Sequence, residues 1–283
     1  MKVISTIKEF RIWRKGITGS VGFVPTMGAL HGGHLSLVEK SNKTCQNTVV
    51  SIYLNPAQFT PDEDLDTYPQ TLDIDIEQLS NYNTDCILLP SDSEMYPKGF
   101  SSQIQVIELS GVLEGKSRPN FFRGVTSIVS KLFNIVEPTH AFFGEKDAQQ
   151  LRIIQQMAMD LNYPIEIIAC PIIREESGLA MSSRNQNLTA DEHKKASVIF
   201  KALLVGKNLI SSGEKTAQVI RDKISEIISS EAYLTIDYIS VADSQTLEEI
   251  ITEIERDVLV SVAVYLGKVR LIDNFSYSVS SIK

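Results

Sequence analysis

The chain has 283 residues, of which 43% are hydrophobic and 22% are charged, as is typical of a globular protein with room for two domains. Its net charge of −8 argues against a nucleic-acid-binding surface, so an anionic ligand would need local basic groups. The longest strongly apolar run, residues 258–266, is far shorter than the ~20 residues that a membrane span needs.

A strand, a glycine-containing loop and a helix are predicted between residues 21 and 38. The apolar run 21–24 indicates a short buried strand that Pro25 ends, and Leu35, Leu37 and Val38 resume at helical spacing. The N–H groups and the positive dipole end of this helix would face the loop. The unit is therefore suited to an anion such as phosphate.

The loop itself carries two features that suit phosphate chemistry. Gly28, Gly32 and Gly33 let backbone N–H groups approach a ligand closely. His31 and His34 are three residues apart, so both would lie on one face of the first helical turn, where imidazoles can donate to phosphate oxygens. The alternative interpretation is a tight strand-to-helix turn with two solvated histidines.

Polar side chains also follow the next predicted strand, residues 48–54. Asn55 and Gln58 come just past its carboxyl end, and open parallel sheets bind ligands at that edge. Both amides are therefore candidates for substrate contacts. A solvated Asn-Pro turn is the alternative.

Acidic residues open the following helix, which is predicted over residues 72–79. Asp73 and Asp75 either complement the helix dipole or coordinate magnesium, and the sequence leaves both interpretations open. Strand propensity then predicts two strands, over residues 86–89 and 104–109. A solvated loop is predicted over residues 111–123.

The strand, glycine and helix pattern occurs again around residue 144. Apolar spacing predicts a helix over 124–137, then a strand over 141–143 and a helix over 148–161. Lys146 precedes the last helix, where a cation is unfavourable beside the positive dipole end. Because functional sites are where such local rules are broken, Lys146 is a candidate phosphate ligand. A capping box formed without any ligand is the alternative for this turn.

The predicted order of strands and helices changes after a final predicted strand at 165–173. Alternating strands and helices up to this point indicate an α/β fold with a doubly wound parallel sheet. Thr189 and Glu192 predict a capping box at the start of a helix that reaches about residue 210. A second helix is predicted over residues 216–228, and three strands are predicted over residues 234–241, 258–266 and 269–273. Helices followed by adjacent strands indicate a smaller α+β domain.

A polar stretch between the two predicted domains holds another candidate phosphate-binding group. Ser182 and Ser183 offer adjacent hydroxyls, and Arg184 offers a bidentate fork. An exposed linker is the alternative. Together with the two histidines and Lys146, these residues favour a nucleotide-dependent transferase or ligase that releases pyrophosphate, but they leave the acceptor open.

Four motifs in one order carry a resemblance to a known family: PTMGALHGGH at 25–34, NPAQF at 55–59, FGEKD at 143–147 and MSSRN at 181–185. They resemble the pantoate-β-alanine ligases. The resemblance implies a Rossmann-like nucleotidyltransferase sheet over residues 1–173 that binds ATP and pantoate. It also implies a smaller α+β domain over 174–283 that closes over the site.

The same resemblance implies an activity. Pantoate and β-alanine would be joined to pantothenate through pantoyl adenylate, with ATP as substrate, Mg²⁺ as cofactor, and AMP and pyrophosphate as products. It further implies a homodimer. Three widely spaced cysteines predict reduced thiols in a cytoplasmic protein. A related nucleotidyltransferase that leaves the nucleotide on its product, or a catalytically silent nucleotide-binding module, would be the competing functions.

The resemblance also assigns roles to individual residues. His31, His34 and Lys146 would be catalytic, with His34 in the family's proton-donor position. Gln58 and Gln150 would bind pantoate. The residues expected to bind ATP are Met27, Gly28, Ala29, Leu30, His31, Gly32, Gly33, His34, Gly144, Glu145, Lys146, Asp147, Ile173, Met181, Ser182, Ser183 and Arg184.

Two positions depart from the family pattern. Asp75 matches a carboxylate associated with magnesium, but a neighbouring acidic position found in some members is Ile74 here. Phe121 stands where relatives often carry histidine, so any contribution from that imidazole is absent.

Overall fold

The computed structural model describes residues 1–59, 65 and 68–279. An acidic loop that the sequence predicts over 61–68 lies largely outside the described residues. The sequence also predicts a loosely ordered end over 276–283, but residues 276 and 277 belong to the strand Val269–Tyr277, and residues 280–283 lie outside the described residues. The chain divides into two compact units. The first comprises Met1–Glu145 and Gln150–Pro171, and the second comprises Lys146–Gln149 and Ile172–Lys283.

The first unit is built on a parallel sheet whose strand order is β1-β4-β3-β2-β5-β6. Its strands are β1 (Lys2–Ile4), β2 (Val21–Thr26), β3 (Asn47–Ile52), β4 (Cys86–Leu88), β5 (His140–Gly144) and β6 (Glu166–Cys170). The chain moves outward from β2 through β3 to β4 and then returns to β5 on the other side of β2. The strand order therefore reverses between β2 and β5, where such sheets form a crevice at their carboxyl ends. The predicted doubly wound sheet is confirmed.

Helices connect these strands, and the apolar periodicity of the sequence places most of them. They are α1 (Ile7–Lys15), α2 (Gly32–Thr44), α3 (Leu72–Ser80), α4 (Asp92–Met95), α5 (Ile107–Ser110), α6 (Glu114–Ser117), α7 (Phe121–Val136) and α8 (Ala148–Asp160). Val38 of α2 and Leu79 of α3 contribute to a core with Val24, Val50 and Phe142 from the sheet. Burying such side chains stabilises the fold by roughly 1.5–3 kcal/mol each.

The second unit contains an antiparallel sheet and its own hydrophobic core. Its elements are α9 (Ala190–Ala196), α10 (Val198–Ser211), α11 (Ala217–Ser229), β7 (Leu234–Asp243), β8 (Val258–Leu266) and β9 (Val269–Tyr277). The predicted capping box of Thr189 and Glu192 is present, but the helix that it opens breaks at Ser197. No helix in the described part of the chain combines the length and apolarity that a membrane crossing requires.

Two predicted strands are wrong in extent or kind. The stretch 104–109 is not a strand: its second half lies in α5, and its first residue is held by α7, where Thr126 donates to the Ile104 carbonyl and the Ile104 N–H donates to Ser127. The stretch 165–173 ends as a strand at Cys170. The predicted loop over 111–123 contains α6 and the first turn of α7.

Pro25 does not end β2 as predicted. Pairing with β3 continues through Thr26, whereas pairing with β5 covers only Gly22 and Phe23. A proline lacks the N–H that a second ladder would need, so β2 can continue along one neighbour while it separates from the other. This separation opens the sheet next to the loop that follows β2.

Candidate active site

The loop between β2 and α2 has an unusual backbone conformation. Gly28 and Ala29 both have positive φ values, of 85° and 50°. Glycine adopts this region freely, whereas a residue with a Cβ is strained there. A Cβ at position 28 would lie 3.2 Å from both the Asp75 Oδ2 and the Ile52 Cγ2. The conformation at Ala29 therefore needs support from the surrounding structure.

Asp75 supplies that support from the first turn of α3. Its Oδ2 accepts the Ala29 N–H at 2.9 Å and its Oδ1 accepts the Leu30 N–H at 2.8 Å. The Thr71 hydroxyl adds a third bond to Oδ1 at 3.2 Å. The side chain is only 2% exposed. A buried carboxylate with two backbone donors forms charge-assisted hydrogen bonds, so Asp75 clamps the loop.

This geometry changes two of the sequence-based interpretations. The N–H groups of Ala29 and Leu30 serve Asp75 rather than a phosphate, so a phosphate must be met by other donors of the loop and α2. The carboxylate of Asp75 also fits a magnesium ion poorly, since both oxygens already accept hydrogen bonds. Within the described residues, no group of three or more His, Cys, Asp or Glu side chains could hold a metal ion.

The two histidines lie together at the start of α2. His31 is the N-cap residue, and its Nδ1 accepts the Gly33 N–H at 3.1 Å. That nitrogen carries no proton, so the proton of the neutral ring is on Nε2, which becomes a donor. The ring centroids of His31 and His34 are 4.1 Å apart. The helix N-terminus thus presents two half-buried imidazoles side by side.

A short 3-10 helix follows β3 at Pro56–Gln58, with Asn55 as its N-cap residue and Gln58 as its last residue. Asn55 is 1% exposed, and its Nδ2 donates to the Gln58 Oε1 at 2.9 Å and to the Gly124 carbonyl at 3.2 Å. The predicted substrate contact of Asn55 does not fit this burial. Asn55 instead holds Gln58 in place.

Lys146 lies in the second unit, in a 3-10 turn formed by Glu145–Asp147. Its carbonyl accepts a hydrogen bond from the Asn274 Nδ2 at 2.8 Å, which anchors the backbone to β9. The Lys146 Nζ lies 3.8 Å from the Asp147 Oδ1, whose side chain is about half exposed. Such a solvated ion pair is weak, so the ammonium group can exchange this partner for a phosphate.

Hydrogen bonds within the second unit also order the predicted phosphate-binding stretch at 182–184. The Ser182 Oγ accepts the Arg184 N–H at 3.3 Å and caps a 3-10 helix. Asn185 is 5% exposed, and its Nδ2 donates to the Glu175 Oε1 at 2.7 Å. Ser183 is 8% exposed. This burial does not fit the exposed-linker interpretation.

A charged pair anchors the start of the same stretch. The Arg174 guanidinium binds both oxygens of Asp273, at 2.6 and 3.0 Å, and Asp273 is 3% exposed. The Ile173 carbonyl accepts the Met181 N–H at 2.9 Å. Arg174 and Asp273 could not be recognised from the sequence, because they are 99 residues apart and no local pattern links them.

Comparisons with known proteins match nearly the whole chain. The family described as pantoate-beta-alanine ligase matches residues 2–276. A pantothenate synthetase from Thermosipho africanus is 47% identical over 277 residues, which cover 97% of this chain and 99% of the relative. The chain belongs to the pantoate-β-alanine ligase family.

Solved members of the pantoate-β-alanine ligase family share the fold. The pantothenate synthetase of Thermus thermophilus has a TM-score of 0.92 and 38% identity, over 97% of this chain and 99% of that one. The ligase of Francisella tularensis, solved in complex with β-γ ATP and β-alanine, has a TM-score of 0.79 and 35% identity over 97% of each chain.

One departure from the usual pantoate-β-alanine ligase pattern has a structural role in this chain. The ring of Phe121 lies 3.7 Å from the guanidinium carbon of Arg118. Arg118 in turn donates from Nη2 to the Gln58 carbonyl at 3.1 Å. Arg118 falls within the stretch 111–123, which the sequence predicts as a solvated loop. Its contact with Gln58 depends on residues 60 positions apart and has no local signal.

Proposed function

We propose that this protein joins (R)-pantoate to β-alanine in an ATP-dependent reaction that yields pantothenate, AMP and pyrophosphate. The observation that carries the proposal is the family match across residues 2–276, which includes all four motifs. The clamped loop and paired imidazoles at the start of α2 support it, because adenylate chemistry needs preorganised donors more than a nucleophilic side chain.

The reaction proceeds in two steps. The pantoate carboxylate attacks the α-phosphorus of ATP, a carboxylate-phosphorus bond forms, and the bond to the departing pyrophosphate breaks. The β-alanine amine then attacks the acyl carbon of pantoyl adenylate, and AMP leaves as the amide bond forms. The protein contributes charge stabilisation in the first step through His31, His34 and Lys146.

Substrate and nucleotide are bound by different groups. Gln58 and Gln150 bind the hydroxyl and carboxylate oxygens of pantoate through their amides. ATP is bound by the residues of 27–34, 144–147, 173 and 181–184 that the family resemblance assigns. Because the Nδ1 of His31 caps α2, Nε2 is the ring nitrogen through which His31 would donate to a phosphate oxygen.

The proposal also covers the magnesium ion, the oligomeric state and the cellular location of the protein. We propose that Mg²⁺ arrives with ATP and is held mainly by phosphate oxygens and water, as is usual for this ion. The carboxylate of Asp75 holds the loop between β2 and α2 rather than the metal ion. A cytoplasmic homodimer is proposed from the family resemblance.

The half-reaction tests this function directly. With ATP, Mg²⁺ and pantoate but no β-alanine, we expect one equivalent of pyrophosphate per active site and bound pantoyl adenylate, since both steps use the same carboxylate. Rapid-quench assays and mass spectrometry measure both products. Pyrophosphate release that strictly required β-alanine would contradict the two-step reaction. AMP that stayed attached to the final product would indicate a nucleotidyltransferase instead.

A second prediction concerns the amides that bind pantoate. Gln58→Ala and Gln150→Ala are expected to weaken pantoate binding about 10-fold or more, because each leaves a substrate oxygen without its donor. ATP binding should change little. Calorimetric titration with each substrate measures both affinities. Gln103→Ala, at an exposed position, is the matched control, and an equal loss of ATP affinity in both variants would contradict these roles.

A further inference from the structure

We propose that Tyr96 and Asn55 form a hydrogen-bonded relay that fixes the side-chain amide of Gln58, so that its Nε2 donates to an oxygen of the hydroxy-acid substrate. The inference rests on the proposed function and adds a specificity device to it. Tyr96 acts here as a positioning residue, since its effect on the substrate passes through Asn55 and Gln58.

The orientation of the Asn55 amide is determined at both ends. Its Oδ1 accepts the Tyr96 hydroxyl at 2.7 Å and the Ala57 N–H at 3.3 Å. Its Nδ2 donates to the Gln58 Oε1 and to the Gly124 carbonyl. A flipped amide would turn its NH₂ group towards the Ala57 N–H, which can only donate, and its oxygen towards the Gly124 carbonyl, which can only accept. At 1% exposure no water can replace the lost bonds, so only one orientation is stable.

This orientation dictates the polarity of Gln58. Because Asn55 donates to its Oε1, the carbonyl end of the Gln58 amide is committed to the protein. The Nε2 end is left to meet a ligand, and it can only donate. A donor suits the carboxylate, hydroxyl or carbonyl oxygens of a hydroxy acid. With the opposite orientation of the amide, its oxygen would face an anionic oxygen of the substrate, and the two oxygens would repel each other.

The Tyr96 hydroxyl is suited to being a permanent donor. Burial, with a smaller contribution from the nearby Asp92 carboxylate, raises the pKa of Tyr96 to about 12, although the bond to Asn55 acts in the opposite direction. The hydroxyl therefore keeps its proton at neutral pH. The ring is held by neighbouring aromatic side chains, with centroids 5.2 Å from Phe100 and 6.5 Å from Tyr53.

The backbone of Gln58 is held as firmly as its side chain. Arg118, stacked on Phe121, donates to its carbonyl. On the other side α7 packs against the 3-10 helix backbone to backbone: a Cβ added at Gly124 would lie 2.2 Å from the Ala57 carbonyl oxygen. Movement of the main chain therefore cannot easily compensate for a misoriented amide, and the relay controls the donor position.

Tyr96→Phe tests the relay with little change in packing, since the ring and its aromatic neighbours remain. We expect the KM for pantoate to rise about 2- to 10-fold, the range for one lost hydrogen bond. The KM for ATP and the melting temperature should stay near their wild-type values. Tyr53→Phe is the matched control, because Tyr53 belongs to the same aromatic group but its hydroxyl donates to Asp92.

A double-mutant cycle with Gln58→Ala separates positioning from general structure. If Tyr96 acts through Gln58, Tyr96→Phe should have no further effect on pantoate binding once Gln58 is truncated. Effects that multiply, an unchanged pantoate KM in Tyr96→Phe, or an equal rise in the KM for ATP would overturn the relay. A wild-type protein that does not bind pantoate would overturn the proposed function as well, so the two failures are distinguishable.

Discussion

Replacement of Asp75 by asparagine is expected to reduce kcat/KM for ATP about 30- to 1000-fold, which corresponds to roughly 2–4 kcal/mol for disrupted charge-assisted bonds and an unsatisfied buried donor. The asparagine NH₂ group would face one of the two backbone donors that the carboxylate now accepts, from Ala29 and Leu30. The loop would then lose the conformation that places His31 at the N-terminus of α2. Steady-state kinetics and calorimetric titration with ATP measure the effect.

The dependence on magnesium decides between a clamp and a metal ligand. If Asp75 clamps the loop, the residual activity of Asp75→Asn should saturate at the same Mg²⁺ concentration as the wild-type enzyme. A much higher Mg²⁺ requirement, with activity restored by excess ion, would show that Asp75 is a metal ligand. Asp73→Asn is the matched control, since Asp73 lies in the same helical turn but is exposed.

His34→Ala and Lys146→Ala are each expected to slow adenylate formation about 100- to 1000-fold, since the loss of one preorganised donor costs ~2.7–4 kcal/mol of transition-state stabilisation. Both side chains lie at loop-helix junctions rather than in a core, so the free energy of unfolding should change little. Raising the ATP concentration should not restore the rate, because the interactions are stronger in the transition state than in the ground state. Single-turnover pyrophosphate release measures the rate.

A surface lysine provides the control for this pair. Lys43→Ala removes a cation from the last turn of α2, where its side chain is 69% exposed, and should leave the rate unchanged. If saturating ATP returned either active-site variant to near-normal turnover, that residue would be a ground-state binder of ATP. A large fall in melting temperature would instead assign it a structural role.

Local sequence patterns predicted the parts of the protein that depend on near neighbours. The capping box of Thr189 and Glu192 needs only residues three apart, and it is present. The loop between β2 and α2 was predicted from the glycines and histidines themselves. Local propensity failed at 104–109, where β-branched residues suggested a strand, but Ile104 is hydrogen-bonded to α7 and the second half of the stretch is the helix α5.

The groups that hold the site in place could not be predicted in the same way. Asp75 contacts Ala29 across 46 positions of sequence, and Tyr96 contacts Asn55 across 41. Neither pair leaves a periodic or spaced signal, since each forms only when separate βα units come together in the sheet. Asp75 looked like a helix-dipole partner or a metal ligand for that reason, and Tyr96 carried no signal at all.

The clamped conformation of the loop also affects the thermodynamics of ligand binding. Fixing the backbone of a flexible residue costs about 1–2 kcal/mol, and a disordered loop would incur this cost each time that a ligand bound. Here Asp75 and the folded α3 already fix Ala29 and Leu30. The conformational entropy is therefore lost during folding rather than during binding, and for ATP bound at this loop as proposed, a larger share of the interaction energy would remain available for affinity and catalysis.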